Sequence, residues 1–480
     1  MNLTRRAMIS ATGAAFAGFS RLAHAQSAYP AAVQGDVYRN EVAGYGPLKT
    51  DPFGLFDLPE GFSYTAFGRA GEVMSDGLIT PCKADGMACF AMDGDRVTLV
   101  RNHELKPVDR DFGPFGVSHG LAGKVDRALV YDHDADGRAH SGGATTHVYN
   151  MRTRQLESSH LSLIGTTTNC SGGRTPWGSW LTCEELLLPG GPPSGPGPRS
   201  HGWVFEVPAM HKGLVQPVAI EGMGRFKHEA AAIDPRTGIV YLTEDESAGD
   251  CLFYRYLPND RRALAKGGRL QALGFKDNRD EGDSRNWKRT DWATGDWRDV
   301  VWIDMDGIDN PDDDLRKRGH AKGAALFARG EGIFLGDGEF YFTCTSGGPE
   351  RLGQVMRYRP SRFEGDGREA REPGRLQLFV QSMDKQALHM PDNLSVAPWG
   401  HLVVCEDKAD DKGVNYLRGI TPQGKTYTIG RQAQPGVSNV GANSELAGVC
   451  FSPDGATMFV NVFWPGMTLA ITGPWSSVQA

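Results

Sequence analysis

Acidic side chains recur along this chain at the ends of short apolar runs: Glu104, Glu184, Glu185, Glu229, Glu244, Asp245, Glu331, Asp392, Glu406, Asp407 and Glu445. Among them stand His103, His228 and Cys170, the last in the polar, glycine-rich run Thr168-Asn169-Cys170-Ser171-Gly172-Gly173. Carboxylates are hard oxygen donors suited to calcium. A thiolate among them is softer and points to iron or zinc. Two carboxylates about 5 Å apart repel by roughly 3 kcal/mol at an effective dielectric near 20. A convergent cluster of this size must therefore protonate some members, turn them away, or take up multivalent cations.

Convergence is what the surrounding elements predict. Six segments share one grammar, a polar or acidic residue, a short strand, a Gly-containing turn, and a second strand running into another polar residue. They are Asp85 to Glu104, Cys170 to Glu184, Glu229 to Glu244, Glu331 to Thr345, Asp392 to Glu406 and Glu445 to Asn461, with spacings of 19, 14, 15, 14, 14 and 16. Turns such as Pro176-Trp177-Gly178 and Gly336-Asp337-Gly338 between apolar runs are hairpin signals. Starts 53 to 102 residues apart fit propeller blades with variable outer strands. In an antiparallel hairpin the first residue of one strand lies beside the last of the other, so a near-constant spacing brings all the polar ends to one rim. The predicted fold is all-β, a six-bladed β-propeller with additional loops and short helices.

The chain has 480 residues, with 51 Lys+Arg against 58 Asp+Glu and a formal net charge of -7. That balance leaves no basic footprint for nucleic acid. Residues 1–25 read as a twin-arginine signal peptide: Arg5-Arg6, an apolar run from Met8 to Phe19, and the small-x-small site Ala23-His24-Ala25. No other stretch approaches the ~20 apolar residues of a membrane span. Residues 26–480 are expected to form a single domain, a periplasmic or secreted monomer. Cys183, Cys344, Cys405 and Cys450 read as small buried strand residues, and Cys82 and Cys89 leave a pairing open. His140, His147, His160 and His201 match no repeat position and read as structural or surface residues.

The motifs Arg101-Asn102-His103-Glu104, Asn169-Cys170-Ser171-Gly172-Gly173, Thr182-Cys183-Glu184-Glu185, Lys227-His228-Glu229, Arg329-Gly330-Glu331-Gly332, Pro391-Asp392-Asn393-Leu394 and Ser444-Glu445-Leu446 occur in order. In them the chain resembles the PhoX family of secreted bacterial alkaline phosphatases, over nearly all of the mature sequence. The resemblance implies hydrolysis of phosphate monoesters for phosphate acquisition, without an organic cofactor. It also implies two ferric irons (Fe3+) and three calcium ions (Ca2+) joined by an oxide at the channel mouth. Carried over by motif, Cys170 is the iron thiolate ligand, Glu229 and Glu331 are carboxylate ligands, and Arg329 clamps the phosphoryl oxygens. Repeat geometry adds Asn102 to the catalytic set and Glu104, Glu184, Glu244, Asp392, Glu406 and Glu445 to the metal ligands. Two rival readings are a calcium-dependent lactonase, against which Cys170 and Arg329 weigh, and a non-catalytic ligand-binding propeller, which would need an apolar top face.

Overall fold

The computed structural model describes residues 38–195, 197–277, 279–408, 414–434 and 444–479; residues 1–25, expected from the sequence to be a signal peptide, lie outside them. Each of the six repeated segments is an antiparallel hairpin: Ala84–Ala91 with Arg96–His103, Asn169–Arg174 with Ser179–Glu184, His228–Ile233 with Val240–Glu244, Gly330–Leu335 with Phe340–Cys344, Pro391–Val396 with Leu402–Glu406, and Leu446–Phe451 with Thr457–Val462. The first strands of these hairpins pack side by side in a closed ring, from Ala84–Ala91 round to Leu446–Phe451 and back. Strands this close to an axis need small residues. A Cβ on Gly173 would stand 1.8 Å from the Ala231 carbonyl oxygen of the next hairpin.

Outer strands extend the hairpins into five sheets among the described residues, in a propeller-like arrangement. The third and fourth hairpins share one nine-stranded sheet, joined where Trp297–Asp304 pairs with Arg375–Gln381. The sixth hairpin closes the ring between the two ends of the described chain: its outermost strand, Ser63–Phe67, pairs with Met467–Thr472. Apolar clusters fill the spaces between sheets, for example Leu181, Val204, Leu242 and Tyr254 between the second and third. The fold is all-β, with a single α-helix, Leu315–Ala321, among the described residues. All eight cysteines are buried and free, so Cys82 and Cys89 are not paired.

Candidate metal centre

Two irregularities recur in the hairpins and build the site. The first is a β-bulge near the start of each first strand, where the register shifts across Asp85-Gly86, Cys170-Ser171, Glu229-Ala230, Glu331-Gly332, Asp392-Asn393 and Gly448-Val449. A bulge re-aims the extra side chain, and five of the six hairpins place an acid or the thiol there. In the sixth, Gly448 takes the bulge with φ +62°, and Glu445, just before the strand, supplies the acid.

The second is a backbone bond that closes each hairpin beyond its last strand residue. The N–H groups of Glu104, Glu185, Asp245, Thr345, Asp407 and Phe463 donate to the carbonyls of Lys83, Thr168, Lys227, Arg329, Met390 and Glu445 at 3.0–3.2 Å. Four of those acceptor residues, Lys83, Thr168, Arg329 and Met390, hold positive φ near 50°, a strained conformation for a side chain with a Cβ.

Bulge and closing bond together line a cavity of about 230 Å³ with Asp85, Glu104, Lys106, Cys170, Glu185, Glu229, Asp245, Arg329, Glu331, Asp392, Asp407 and Glu445. Nine carboxylates face two cationic side chains. Burial, then repulsion from neighbours, raises the pKa of Asp85, Glu229 and Glu445 well above the carboxylate range. Burial followed by Asp245 does the same to Glu185, and also to Glu331, where Arg329 opposes it. Asp392 is pushed up to about 7 by burial and Asp407. Burial, then Glu229, lifts the Cys170 thiol likewise, its Sγ lying 3.2 Å from the His228 carbonyl oxygen. A cation beside these groups would favour their ionised forms and offset the repulsion that burial imposes.

Ligand atoms converge in two triads that share Glu229. Cys170, Glu185 and Glu229 form one; Glu229, Glu331 and Asp392 form the other, each with its atoms within 4.8 Å of one another. One triad offers a soft sulfur and the other only hard oxygens, so the chemistry of the donor set fits two kinds of cation bridged by a single carboxylate. Arg329 sits at the edge, its Nε and Nη2 forking onto Asp245 at 2.9 and 2.7 Å and Nη2 also 3.0 Å from Glu331. Burial opposes its charge, but Glu331 and Asp245 outweigh it and raise its pKa. Its Nη1 lies outside these pairs.

Of the residues singled out from the sequence, Cys170, Glu104, Glu229, Glu331, Asp392, Glu445 and Arg329 line the cavity. Glu184, Glu244, Glu406 and Asn102 do not. Glu184 accepts from the backbone N–H of Thr167, Gly202 and Trp203 and from His201. Glu244 accepts from Leu252 N and Tyr254 Oη at 2.9 and 3.0 Å, and Glu406 from Arg418 Nε at 2.9 Å. Successive strand side chains point to opposite faces, so these strand-end acids turn outward and the next residues, Glu185, Asp245 and Asp407, turn in. Each is the second member of an acidic doublet, and only the register beyond the bulge separates it from the first. Lys106 carried no repeat signal at all.

Asn102 acts one layer behind the cavity. Its amide donates to the carbonyls of Cys170 and Ser171 at 3.0 and 2.8 Å and accepts from Trp180 Nε1 at 2.9 Å. Thr243 and Thr343, one residue before the strand end in their hairpins, donate likewise to the Glu331 and Asp392 carbonyls at 2.6 Å, and Asn461 donates to that of Asp85. In these four places a hairpin latches the bulge of its neighbour. A larger cavity of about 460 Å³ lies toward the hairpin turns, lined mainly by apolar groups such as Met87, Ile233, Phe334 and Val396, and holds no carboxylate.

A family model described as alkaline phosphatase PhoX matches residues 43–466. Among solved structures, that of Pseudomonas fluorescens PhoX in complex with vanadate, a transition-state analogue, superposes with a TM-score of 0.64 at 19% identity, covering 92% of this chain and 98% of that one. A gluconolactonase from Xanthomonas campestris aligns at 11% identity with a TM-score of 0.39, over 91% of this chain and 100% of that one. Against curated protein sequences the chain has no significant match.

Proposed function

This chain belongs to the PhoX family of alkaline phosphatases, and from that premise we propose that it hydrolyses phosphate monoesters in the carboxylate-lined cavity, on a multinuclear iron–calcium cluster held there. The observation that carries this reading is Glu229, shared between a thiol-bearing triad and an all-carboxylate triad. Cys170, Glu185 and Glu229 would hold iron, and Glu331, Asp392 and the set Asp85, Glu104, Asp407 and Glu445 would supply oxygens for calcium. When bound, such ions supply Lewis-acid stabilisation of the transferring phosphoryl group.

The chain's own groups bind and orient. Phosphoryl transfer depends mainly on positioning and on neutralising the equatorial oxygens. Arg329 lines the cavity with a planar donor fork held by Asp245, and its Nη1, which takes no part in that pair, would be the donor offered to a phosphoryl oxygen. Lys106, half-exposed and 3.7 Å from Glu104, adds a second positive charge at the rim. The vanadate bound by the Pseudomonas fluorescens protein supports the same class of ligand here, in a cavity with room for a phosphate and its ions.

We also read the nine-stranded sheet as two blades sharing an edge, which makes the ring six-bladed, and residues 26–480 as one domain exported through the twin-arginine signal. No helix among the described residues is long and apolar enough to cross a membrane. The test is direct. Purified protein supplied with calcium and iron should hydrolyse p-nitrophenyl phosphate, lose that activity to a strong chelator, and contain both metals by elemental analysis. An active preparation holding zinc alone, or none of these metals, overturns the cluster.

A further inference from the structure

Two histidines outside the hairpin repeat meet behind the second hairpin. His201 is fully buried, with Nδ1 2.7 Å from Glu184 Oε1 and Nε2 3.3 Å from Asp132 Oδ2. His140 directs Nε2 at that same Asp132 oxygen from 3.9 Å, its ring edge-on to that of His201 with centroids 5.2 Å apart. One ligand atom from each of the three lies within 4.8 Å of the others.

We propose that Asp132, His140 and His201 form a second, separate metal site, for a divalent cation of the zinc class, structural in role and distinct from the phosphatase cavity. The argument begins with Glu184. Its carboxylate is clamped by three backbone N–H groups, so it takes the Nδ1 proton of His201 and fixes that ring. Nε2 then faces Asp132 Oδ2, which also accepts from the backbone N–H of Arg199 at 3.0 Å. Burial opposes a charge on this imidazole, but Glu184 and Asp132 outweigh burial and raise its pKa to about 9, so in the metal-free protein a proton fills the 3.3 Å gap and a bound cation would take that proton's place. Metal-binding histidines characteristically have their other ring nitrogen held by a carboxylate or carbonyl, as Glu184 holds this one.

Geometry and donor type favour the zinc class. Ligands about 2.0–2.1 Å from a tetrahedral ion stand about 3.3–3.4 Å from each other, the separation already present between His201 and Asp132. His140 must close by roughly half an ångström to match that edge. It is the partly exposed member, its side chain 11% accessible against none for His201, and marks the entry path. Two imidazoles and one carboxylate suit zinc rather than calcium, which takes oxygens. The site would tie the loop carrying Asp132 and His140, which turns back through the His133–Ala139 bridge, to the strand end behind Glu185.

The experiment compares wild type with His140→Ala and Asp132→Asn, each incubated with zinc, dialysed and analysed for bound metal. Wild type should retain one zinc per chain more than either variant. Zinc should raise the melting temperature of wild type more than that of His140→Ala, because the ion binds only the folded site, while calcium should raise both alike. Cobalt substitution should give tetrahedral absorption bands in wild type that His140→Ala lacks. Zinc taken up by the phosphatase cavity is common to all three proteins and cancels in the comparison. Turnover of p-nitrophenyl phosphate should be unchanged in His140→Ala, so the result is independent of the phosphatase reading. Equal zinc content and equal zinc-dependent melting shifts in wild type and His140→Ala overturn the proposal.

Discussion

The side-chain amide of Asn102 donates to the main-chain carbonyl of Cys170 at 3.0 Å, so the thiol of the second hairpin is held in place by the first. The neighbouring carbonyl of Ser171 is held by the same amide. Asn102 thus orients the bulge that carries Cys170 and does not itself face the cavity. Asn102→Ala should leave two buried carbonyls and the Trp180 indole without their partner, costing about 1–3 kcal/mol of stability. Turnover and iron content should fall together in the protein that folds. Thermal melting with iron analysis checks it; loss of rate with stability and iron unchanged would return Asn102 to the catalytic set.

The two members of an acidic doublet should separate under mutation. Glu185→Gln removes a negative charge from the cavity and should lower both metal content and rate. Glu184→Gln keeps the cavity intact but weakens contacts to His201 and three backbone N–H groups. It should cost about 1–3 kcal/mol of stability while the cavity metals stay bound. Iron and calcium analysis beside thermal melting distinguishes the pair, and identical behaviour would contradict the outward placement of Glu184.

Cysteine should matter in one place. Cys170→Ser is expected to lose iron and nearly all turnover, since a neutral hydroxyl is a poor replacement for a thiolate. Cys405→Ser, whose side chain is buried in a strand and is not part of the cavity lining, should change stability modestly and keep the metals. Equal iron content in the two variants would make Cys170 a structural residue.

Arg329→Lys keeps the charge beside Asp245 and Glu331 but loses the planar fork. By analogy with removing one preorganised donor, transition-state stabilisation should fall by about 2–4 kcal/mol, with metals retained. Inhibition by inorganic phosphate is the discriminating measurement, because phosphate mimics the transferred group. Wild-type rate and phosphate affinity in this variant would confine Arg329 to its ion pairs.

Metal removal should create a pH dependence that the loaded protein lacks. The cavity carboxyls have folded pKa values raised above their unfolded ones, Asp392 to about 7. A group of that kind favours the folded state below its unfolded pKa and loses that advantage as pH rises through the folded value. Chelator-treated protein should therefore melt progressively lower from about pH 4 to pH 7 and beyond. Returning calcium and iron should restore the melting temperature most at the upper end. A flat profile in the stripped protein would mean that the acids do not repel one another as their burial requires.

Local pattern was enough to determine much of this protein. Alternating apolar runs with Gly-bearing turns recur six times, and an antiparallel hairpin must bring its two ends together, so the all-β fold and the meeting of Cys170, Glu229, Glu331, Asp392 and Glu445 at one rim followed from spacing alone. Tertiary structure decided the direction of each side chain. A bulge shifts the period of two by one residue, and no local rule says whether Glu184 or Glu185, Glu244 or Asp245, Glu406 or Asp407 turns inward until the register is known. It also decided every contact between distant segments. Arg329 meets Asp245 across 84 residues, and His201 meets Asp132 across 69. Partners of that kind are set by how the sheets pack round the axis, and packing brings together residues whose separation along the chain carries no trace of it.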